Sequence, residues 1–92
     1  MGWRVEIPKK TEKQIAKLPK AVKAALTLLV MEIEEKGPVR GDWPNYSKLD
    51  YYTHHCHLKK GKPTYVAVWR EVQGEVKLAE VTYAGTHEKA PY

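Results

Sequence analysis

The sequence predicts an α+β fold in which two N-terminal helices pack on one face of a small, mostly antiparallel sheet. An alternating apolar segment opens the chain, and apolar residues then recur at spacings of three and four. Three further alternating segments follow, separated by short turns. The order β-α-α-β-β-β fits one layer of helices on one sheet. A chain of 92 residues buries one modest core, so residues 1–92 are expected to form a single domain.

The first two elements are predicted to lie before Pro19. Residues 3–7 alternate apolar and polar side chains, as in a strand with one buried face. Thr11 and Gln14 match a capping box, in which the two side chains bond free backbone N–H groups at a helix start. A short helix is therefore predicted over residues 12–18, and the proline stops it.

The second predicted helix is longer and starts near Lys20. Its apolar residues recur at spacings of three and four and form one stripe, composed of Val22, Ala25, Leu26, Leu29, Val30 and Ile33. Lys36-Gly37-Pro38 is a typical helix end, because glycine is favoured just past the last turn and proline does not continue a helix.

Residues 39–50 are predicted to form a loop, because turn-forming residues are frequent there. Three strands are predicted after the loop, at about Tyr51–Lys59, Thr64–Val72 and Glu75–Tyr83. The short glycine-containing turns between these strands favour antiparallel hairpins.

The charge pattern favours a polyanionic partner, either nucleic acid or an acidic protein. The formal net charge is +5 and the pI is near 9.3. Many basic residues are concentrated near the start of the chain, namely Arg4, Lys9, Lys10, Lys13, Lys17, Lys20 and Lys23. The alternative is a solvated helix face, since lysine-rich surfaces are common.

The chain is expected to act in the cytoplasm without a membrane partner. Cys56 is the single cysteine and cannot form an internal disulfide. The first residues lack the apolar stretch of a signal peptide, and the longest apolar run, over residues 24–31, is too short to span a bilayer.

Strand alternation divides the histidine-rich segment between two faces of the sheet. Cys56 and Leu58 are expected to point toward the helices, so that His55, His57 and Lys59 point to an open face. In the next strand the inward residues are taken as Ala67 and Trp69, and the outward ones as Val66, Val68 and Arg70.

The end of the chain is expected to fold back over this open face. Gly85 would provide the flexibility, and His87 and Tyr92 would then approach His55 and His57. Imidazole accepts and donates protons near neutrality, which metal-free RNA cleavage requires, and cations stabilise the crowded phosphate. The candidate catalytic residues are His55, His57, His87 and Tyr92. The candidate RNA- and phosphate-binding residues are Lys48, Lys59, Lys60, Lys62 and Arg70.

A metal site is the rival interpretation of the same segment. Zinc accepts histidine and cysteine ligands, but the adjacent residues His54 to His57 alternate between two faces and cannot all reach one ion. His55, His57 and His87 are a possible three-ligand set, although no second cysteine supports it. We therefore predict no metal and no other cofactor.

These residues resemble the RelE/ParE superfamily of bacterial toxins, most of all its YafQ-type and HigB-type mRNA interferases. The resemblance rests on the element order, on Cys56-His57-Leu58, and on Gly85-Thr86-His87 followed shortly by a terminal aromatic residue. Residues 37–46 also resemble the stretch that links helix to sheet in that family. Nearly the whole chain is covered, and the Gly-Thr-His segment is the most specific part.

The resemblance implies a RelE-like toxin of a type II toxin–antitoxin system: a ribosome-dependent endoribonuclease that cuts mRNA and is held inactive by a cognate antitoxin. It implies that His57 is the strand histidine, His87 the tail histidine and Tyr92 the terminal aromatic. Val66 stands where many relatives have arginine, and Gly61 where YafQ-type toxins have an acidic residue. Two alternatives remain: a ParE-like inhibitor of DNA gyrase, and an inactive relative that only binds its antitoxin.

Overall fold

The sheet has five strands, and two helices cover one of its faces, so the predicted α+β fold class is confirmed. The structure is a computed structural model that describes residues 2–92. In chain order its elements are β1 (Arg4–Glu6), α1 (Lys9–Ala16), α2 (Lys20–Lys36), β2 (Ser47–Lys48), β3 (Thr53–Lys59), β4 (Tyr65–Glu71), β5 (Leu78–Thr86) and a 3₁₀ helix (His87–Lys89).

The strands lie in the order β1-β5-β4-β3-β2. The three pairs that involve β2, β3, β4 and β5 are antiparallel, whereas β1 pairs with β5 in parallel. A parallel pair needs a long crossover, and the helices lie within the crossover between β1 and β5. This topology leaves the other face of β3, β4 and β5 free of helices.

The main core lies between the helices and the sheet. Leu29 and Ile33 of α2 and Trp69 of β4 are fully buried, and Cys56 and Ala67 face them. The indole N–H of Trp69 donates to the carbonyl oxygen of Pro38 at 3.0 Å, which satisfies its polar atom inside the core. The inward assignment of alternate residues in β3 and β4 is therefore confirmed.

The predicted start of α1 is wrong by three residues. The helix begins at Lys9 after Pro8, so Thr11 lies inside the first turn and is buried, and no side chain caps the helix. Proline fixes φ near the value required just before a helix, and the Pro8 carbonyl accepts the N–H of Glu12 at 2.9 Å. Gln14 is not part of a capping box. Its Oε1 accepts the backbone N–H of Ala84 and joins α1 to β5.

The second helix matches the prediction at both ends. It spans Lys20–Lys36, and Gly37 follows with φ 99°, a conformation that favours glycine. Its apolar stripe supplies most of the helical part of the core. Within residues 2–92, no helix has both the length and the apolar character needed to cross a membrane.

Two strand predictions need correction. The region predicted as a loop contains the short strand β2, which pairs with His54 and His55 of β3. The last strand begins at Leu78 and ends at Thr86, three residues later than predicted at each end. Gly85 is therefore a strand residue that pairs with Val66, and the tail begins after it.

Candidate active site

Three histidine rings and the terminal tyrosine ring meet on the face away from the helices. Ring centroids are separated by 4.7 Å for His55 and Tyr92, and by 5.6 Å for His57 and His87. They are separated by 5.9 Å for His87 and Tyr92, and by 6.1 Å for His55 and His57. We call these four residues the histidine cluster. The structure brings together all four candidate catalytic residues.

Strand alternation and one backbone hydrogen bond hold the cluster together. His55 and His57 lie two residues apart in β3 and so share a face. The tail is fixed where the N–H of His87 donates to the carbonyl oxygen of Thr64 at 2.8 Å. A 3₁₀ turn then carries the chain back, and Tyr92 reaches the ring of His55.

A groove of about 600 Å³ opens beside the cluster, and we call it the histidine groove. Its walls consist of His57, Gly61, Lys62, Pro63, Thr64, His87 and Glu88. Two imidazoles of the cluster therefore face the groove. His55 does not line the groove, and only 8% of its surface is exposed. The face predicted to be open is thus partly covered, and Val66 and Val68 are also buried on it.

The short strand β2 holds His55 from one side. The Nδ1 atom of His55 lies 3.2 Å from both the backbone oxygen and the hydroxyl oxygen of Ser47, a residue of β2. A carbonyl oxygen only accepts hydrogen bonds, so this contact requires the proton to be on Nδ1. The lone pair of the neutral ring is then on Nε2. Sequence reasoning missed Ser47, because it lies in the segment predicted as a loop.

The environment keeps His57 neutral. Burial lowers the pKa of His57 below the ordinary value, and the nearby His87, His55 and Lys60 lower it further. Burial also raises the pKa of Tyr92, so its phenol keeps its proton. The cluster therefore contains a neutral imidazole, suited to accept a proton, and a phenol that keeps its proton.

His54 belongs to the opposite face and has a structural role. Its Nδ1 lies 2.6 Å from the Tyr46 hydroxyl and its Nε2 lies 2.7 Å from the Glu71 carboxylate. Its ring is fully buried and stacks on Trp69. Burial lowers the pKa of His54 and outweighs the opposing effect of Glu71. A neutral ring that donates to the carboxylate and accepts from the phenol satisfies every polar atom.

The candidate cations differ in where they lie. Lys62 lines the histidine groove, and Lys59 and Lys60 are exposed at the adjoining end of β3. Lys48 instead lies 5.1 Å from the centre of the Tyr51 ring. Neither Lys59 nor Lys60 forms an ion pair within residues 2–92.

Arg70 is not brought to the groove either. Its Nε donates to the Glu80 carboxylate at 2.9 Å, and its register partner on β3 is Thr53. The pairing partner of His57 is Val66, which is fully buried. Among the candidate phosphate-binding residues, only Lys62 lines the histidine groove.

Metal ligation does not fit the geometry of the described residues. Within residues 2–92, no three His, Cys, Asp or Glu side chains are arranged to hold an ion. His54 stacks on Trp69 and so lies on the other face from His55 and His57, as alternation requires. Burial raises the pKa of Cys56 to about 12, so its thiol stays protonated and is a poor ligand.

Thr64 and Glu88 are groove residues that sequence reasoning missed. Thr64 lies just before β4 and binds the tail through its carbonyl oxygen, and Glu88 follows His87 in the 3₁₀ turn. Antiparallel pairing of β4 with β5 was the available signal, because it brings the start of β4 next to the end of β5.

Comparison with known proteins supports the fold. No family model and no curated protein matches the chain. The arrangement of two helices on a mostly antiparallel five-stranded sheet is RelE-like. The chain is similar to a solved structure of a mutant of the E. coli toxin RelE in the free state, with a TM-score of 0.63 and 16% identity. The match covers 92% of this chain and 83% of that chain. At this identity the likeness establishes the fold and no more than the fold.

Proposed function

We propose that this protein is the toxin of a type II toxin–antitoxin system, and that it cleaves mRNA on the ribosome without a metal ion. The observation that carries the proposal is the pair His57 and His87, whose rings lie 5.6 Å apart beside one groove. A phosphodiester bound in the groove that both imidazoles line has an acid and a base within reach. The RelE-like fold and the sequence resemblance to YafQ-type and HigB-type interferases support the ribosome as the proposed place of action.

The neutral His57 is the proton acceptor in the proposed reaction. It removes the proton from a ribose 2′-hydroxyl, whose oxygen then attacks the adjacent phosphorus. The bond from phosphorus to the 5′-oxygen breaks, and protonated His87 donates its proton to that oxygen. The products are a 2′,3′-cyclic phosphate and a 5′-hydroxyl. Exchange with water then returns both imidazoles to their starting protonation states.

Lys62 and Tyr92 support this reaction. Lys62 lines the groove and places a positive charge near the phosphate as its negative charge builds up. Tyr92 is 47% exposed although its ring contacts His55, so one part of the ring remains free to stack on a base. Its protonated phenol also suits a hydrogen bond to a phosphate oxygen.

The partners follow from charge. The net charge of +5 suits both an RNA-rich ribosome and an acidic antitoxin segment that covers the histidine cluster. The proposed place of action is the cytoplasm, where ribosomes and mRNA meet. The second candidate is an inactive antitoxin-binding relative, which is favoured by buried Val66 in place of an arginine beside His57.

We expect induction of this protein alone to arrest growth through translation and to leave DNA undamaged. The groove with two imidazoles has a use in RNA cleavage and none in gyrase binding. The measurement maps mRNA 5′ ends and plasmid supercoiling after induction, with a His87→Gln strain as the matched control. New mRNA ends that appear only with the native protein support the proposal. A DNA-damage response with intact mRNA would identify a ParE-like inhibitor, and no effect beyond antitoxin binding would identify the inactive relative.

We expect the cleavage rate to fall at acidic pH with a midpoint below the ordinary histidine pKa of 6.5. A proton on His57 removes the base, and the lowered pKa keeps the ring neutral to a lower pH. Lys60→Gln removes one of the charges that lower this pKa, so the acidic limb should move to higher pH. Single-turnover cleavage on programmed ribosomes, with a transition-metal chelator present, provides the profile.

Lys9→Gln is the control for this profile, because it removes the same charge from α1. An acidic limb that stays in place in the Lys60 variant would show that His57 is not the titrating base. A rate that the chelator abolishes, and that added zinc restores, would refute the metal-free mechanism.

A further inference from the structure

A second groove, of about 460 Å³, adjoins the histidine groove, and we call it the β5-edge groove. It lies between the end of α1 and the end of β5, and its lining includes Lys17, Tyr65, Tyr83 and Lys89. At these residues β5 has no strand on its outer side, because β1 pairs only with Leu78 to Glu80. The proposed reaction makes no use of this groove.

Consecutive residues line the two grooves. Thr64 lines the histidine groove, and the next residue, Tyr65, lines the β5-edge groove. Likewise, Thr86 lines the β5-edge groove and the next residue, His87, lines the histidine groove. The hydrogen bond from the His87 N–H to the Thr64 carbonyl closes the wall between them. The wall is therefore thin, and a polymer strand seated at the histidines needs only to cross it to enter the second groove.

The chemistry of the β5-edge groove suits a nucleotide. Lys17 and Lys89 are exposed and form no ion pair within residues 2–92. No Asp or Glu is among the described residues that line it, whereas the histidine groove contains Glu88. Tyr65 and Tyr83 add aromatic surface, on which bases stack with little sequence preference. Positive charge beside aromatic rings is the combination that binds single strands.

Local contacts fix the shape of this groove before any ligand binds. The Tyr83 hydroxyl donates to the Thr86 carbonyl oxygen at 2.7 Å. A Cβ on Gly85 would lie 2.7 Å from that hydroxyl oxygen, so glycine is needed for the ring to lie along the strand. Gln14 accepts the N–H of Ala84 through Oε1, and its amide nitrogen has no partner within residues 2–92. Gln14 is also among the residues that line this groove.

We propose that the β5-edge groove is an RNA subsite that binds the nucleotide next to the cleaved bond. Lys17 and Lys89 contact its phosphate groups, and its base packs against the tyrosine surface. The proposal rests on the proposed function, since it takes RNA as the substrate of the histidine groove. It goes further in assigning the path of the strand and a residue set outside the histidine cluster.

The experiment titrates the full chain with single-stranded RNA methylated at its 2′-hydroxyls, which binds and cannot be cut. We expect the NMR signals of the Tyr65 and Tyr83 rings to shift on binding. In the Lys17→Gln/Lys89→Gln variant, the slope of log affinity against log salt should fall by ~0.7 for each lost phosphate contact. The control is Lys9→Gln/Lys13→Gln, which removes the same charge from α1 outside the groove.

Equal salt slopes for the two double variants, or tyrosine signals that do not shift, would overturn the subsite. Absence of RNA binding at low salt would overturn it as well. Shifts produced by an acidic peptide and not by RNA would assign the groove to a protein partner instead. Failure of the proposed function would give a different result. The RNA would still shift the tyrosine signals, and the Lys17→Gln/Lys89→Gln variant would still show a lower salt slope, but the native chain would leave mRNA on the ribosome intact.

Discussion

His87→Ala is expected to lower the rate of mRNA cleavage by ~10²–10⁴-fold, the usual effect of losing a general acid or base. The side chain is exposed in the tail and faces His57 across 5.6 Å. It contributes nothing to the main core, so the variant should fold and should still bind ribosomes. The measurement is single-turnover cleavage on programmed ribosomes, with thermal unfolding as the test of folding.

Two changes at Tyr92 separate chemistry from packing. Deletion of the residue removes the ring that contacts His55, and should also abolish cleavage. Tyr92→Phe keeps the ring and removes only the hydroxyl, so it reports on the phosphate contact alone. A His87→Ala variant that cuts at the native rate would show that the tail is not catalytic. The general acid would then have to come from elsewhere in the histidine cluster.

Much of the site was predictable because alternation in a strand is a strict geometric rule. The segment His54-His55-Cys56-His57 divides into two faces as soon as one inward residue is identified. Cys56 and Leu58 provided that identification, and the structure buries both in the main core. The approach of the tail was also predicted, but for the wrong reason. Gly85 is a strand residue, and the hydrogen bond from His87 to Thr64 directs the tail.

The sequence did not reveal the residues that support the site from β2. A two-residue strand shows no alternation, and Ser47 stands among residues that also favour turns. Its contact with His55 depends on a pairing between distant segments. The start of β5 was missed for a different reason. Val76 resembles a strand residue but is 85% exposed, and Lys77 has φ 53°, which interrupts the extended chain.

The histidine of the inner face shows how residue type alone misleads. His54 is adjacent to His55 and chemically identical, yet its polar atoms are satisfied by Tyr46 and Glu71 inside the protein. Burial made it a structural residue, whereas a site on the outer face made His57 a candidate base. Sequence spacing shows that His54 and His57 lie on different faces of β3. The pairing of β3 with β4 and the position of the helices decide which of the two faces is buried.

Trp69→Ala is expected to destabilise the fold by ~3–5 kcal/mol, the usual cost of truncating a buried tryptophan. The side chain is fully buried, stacks on His54 with ring planes 9° apart, and donates to the Pro38 carbonyl. Its loss leaves a cavity between α2 and the sheet and frees an acceptor that the indole had satisfied. Because domains of this kind are stable by only ~5–15 kcal/mol, a large part of the total would be lost. The measurement is urea unfolding followed by circular dichroism, which does not depend on tryptophan emission.

Tyr51→Ala provides the matched control for this measurement, since Tyr51 is a large aromatic residue that is 76% exposed. Its ring contacts Lys48 and Tyr52 at the surface, so its removal should cost far less stability than the loss of a buried ring. A loss below ~1 kcal/mol for Trp69→Ala would contradict the core described for this protein.

Trp69→Ala and His87→Ala together separate two ways in which the protein could lose activity. The Trp69 variant should unfold at a lower urea concentration and should also fail to arrest growth, because the pairing of β3 and β4 orients His55 and His57. His87→Ala should lose cleavage while its urea midpoint stays near the native value, because its side chain acts in chemistry and not in the core.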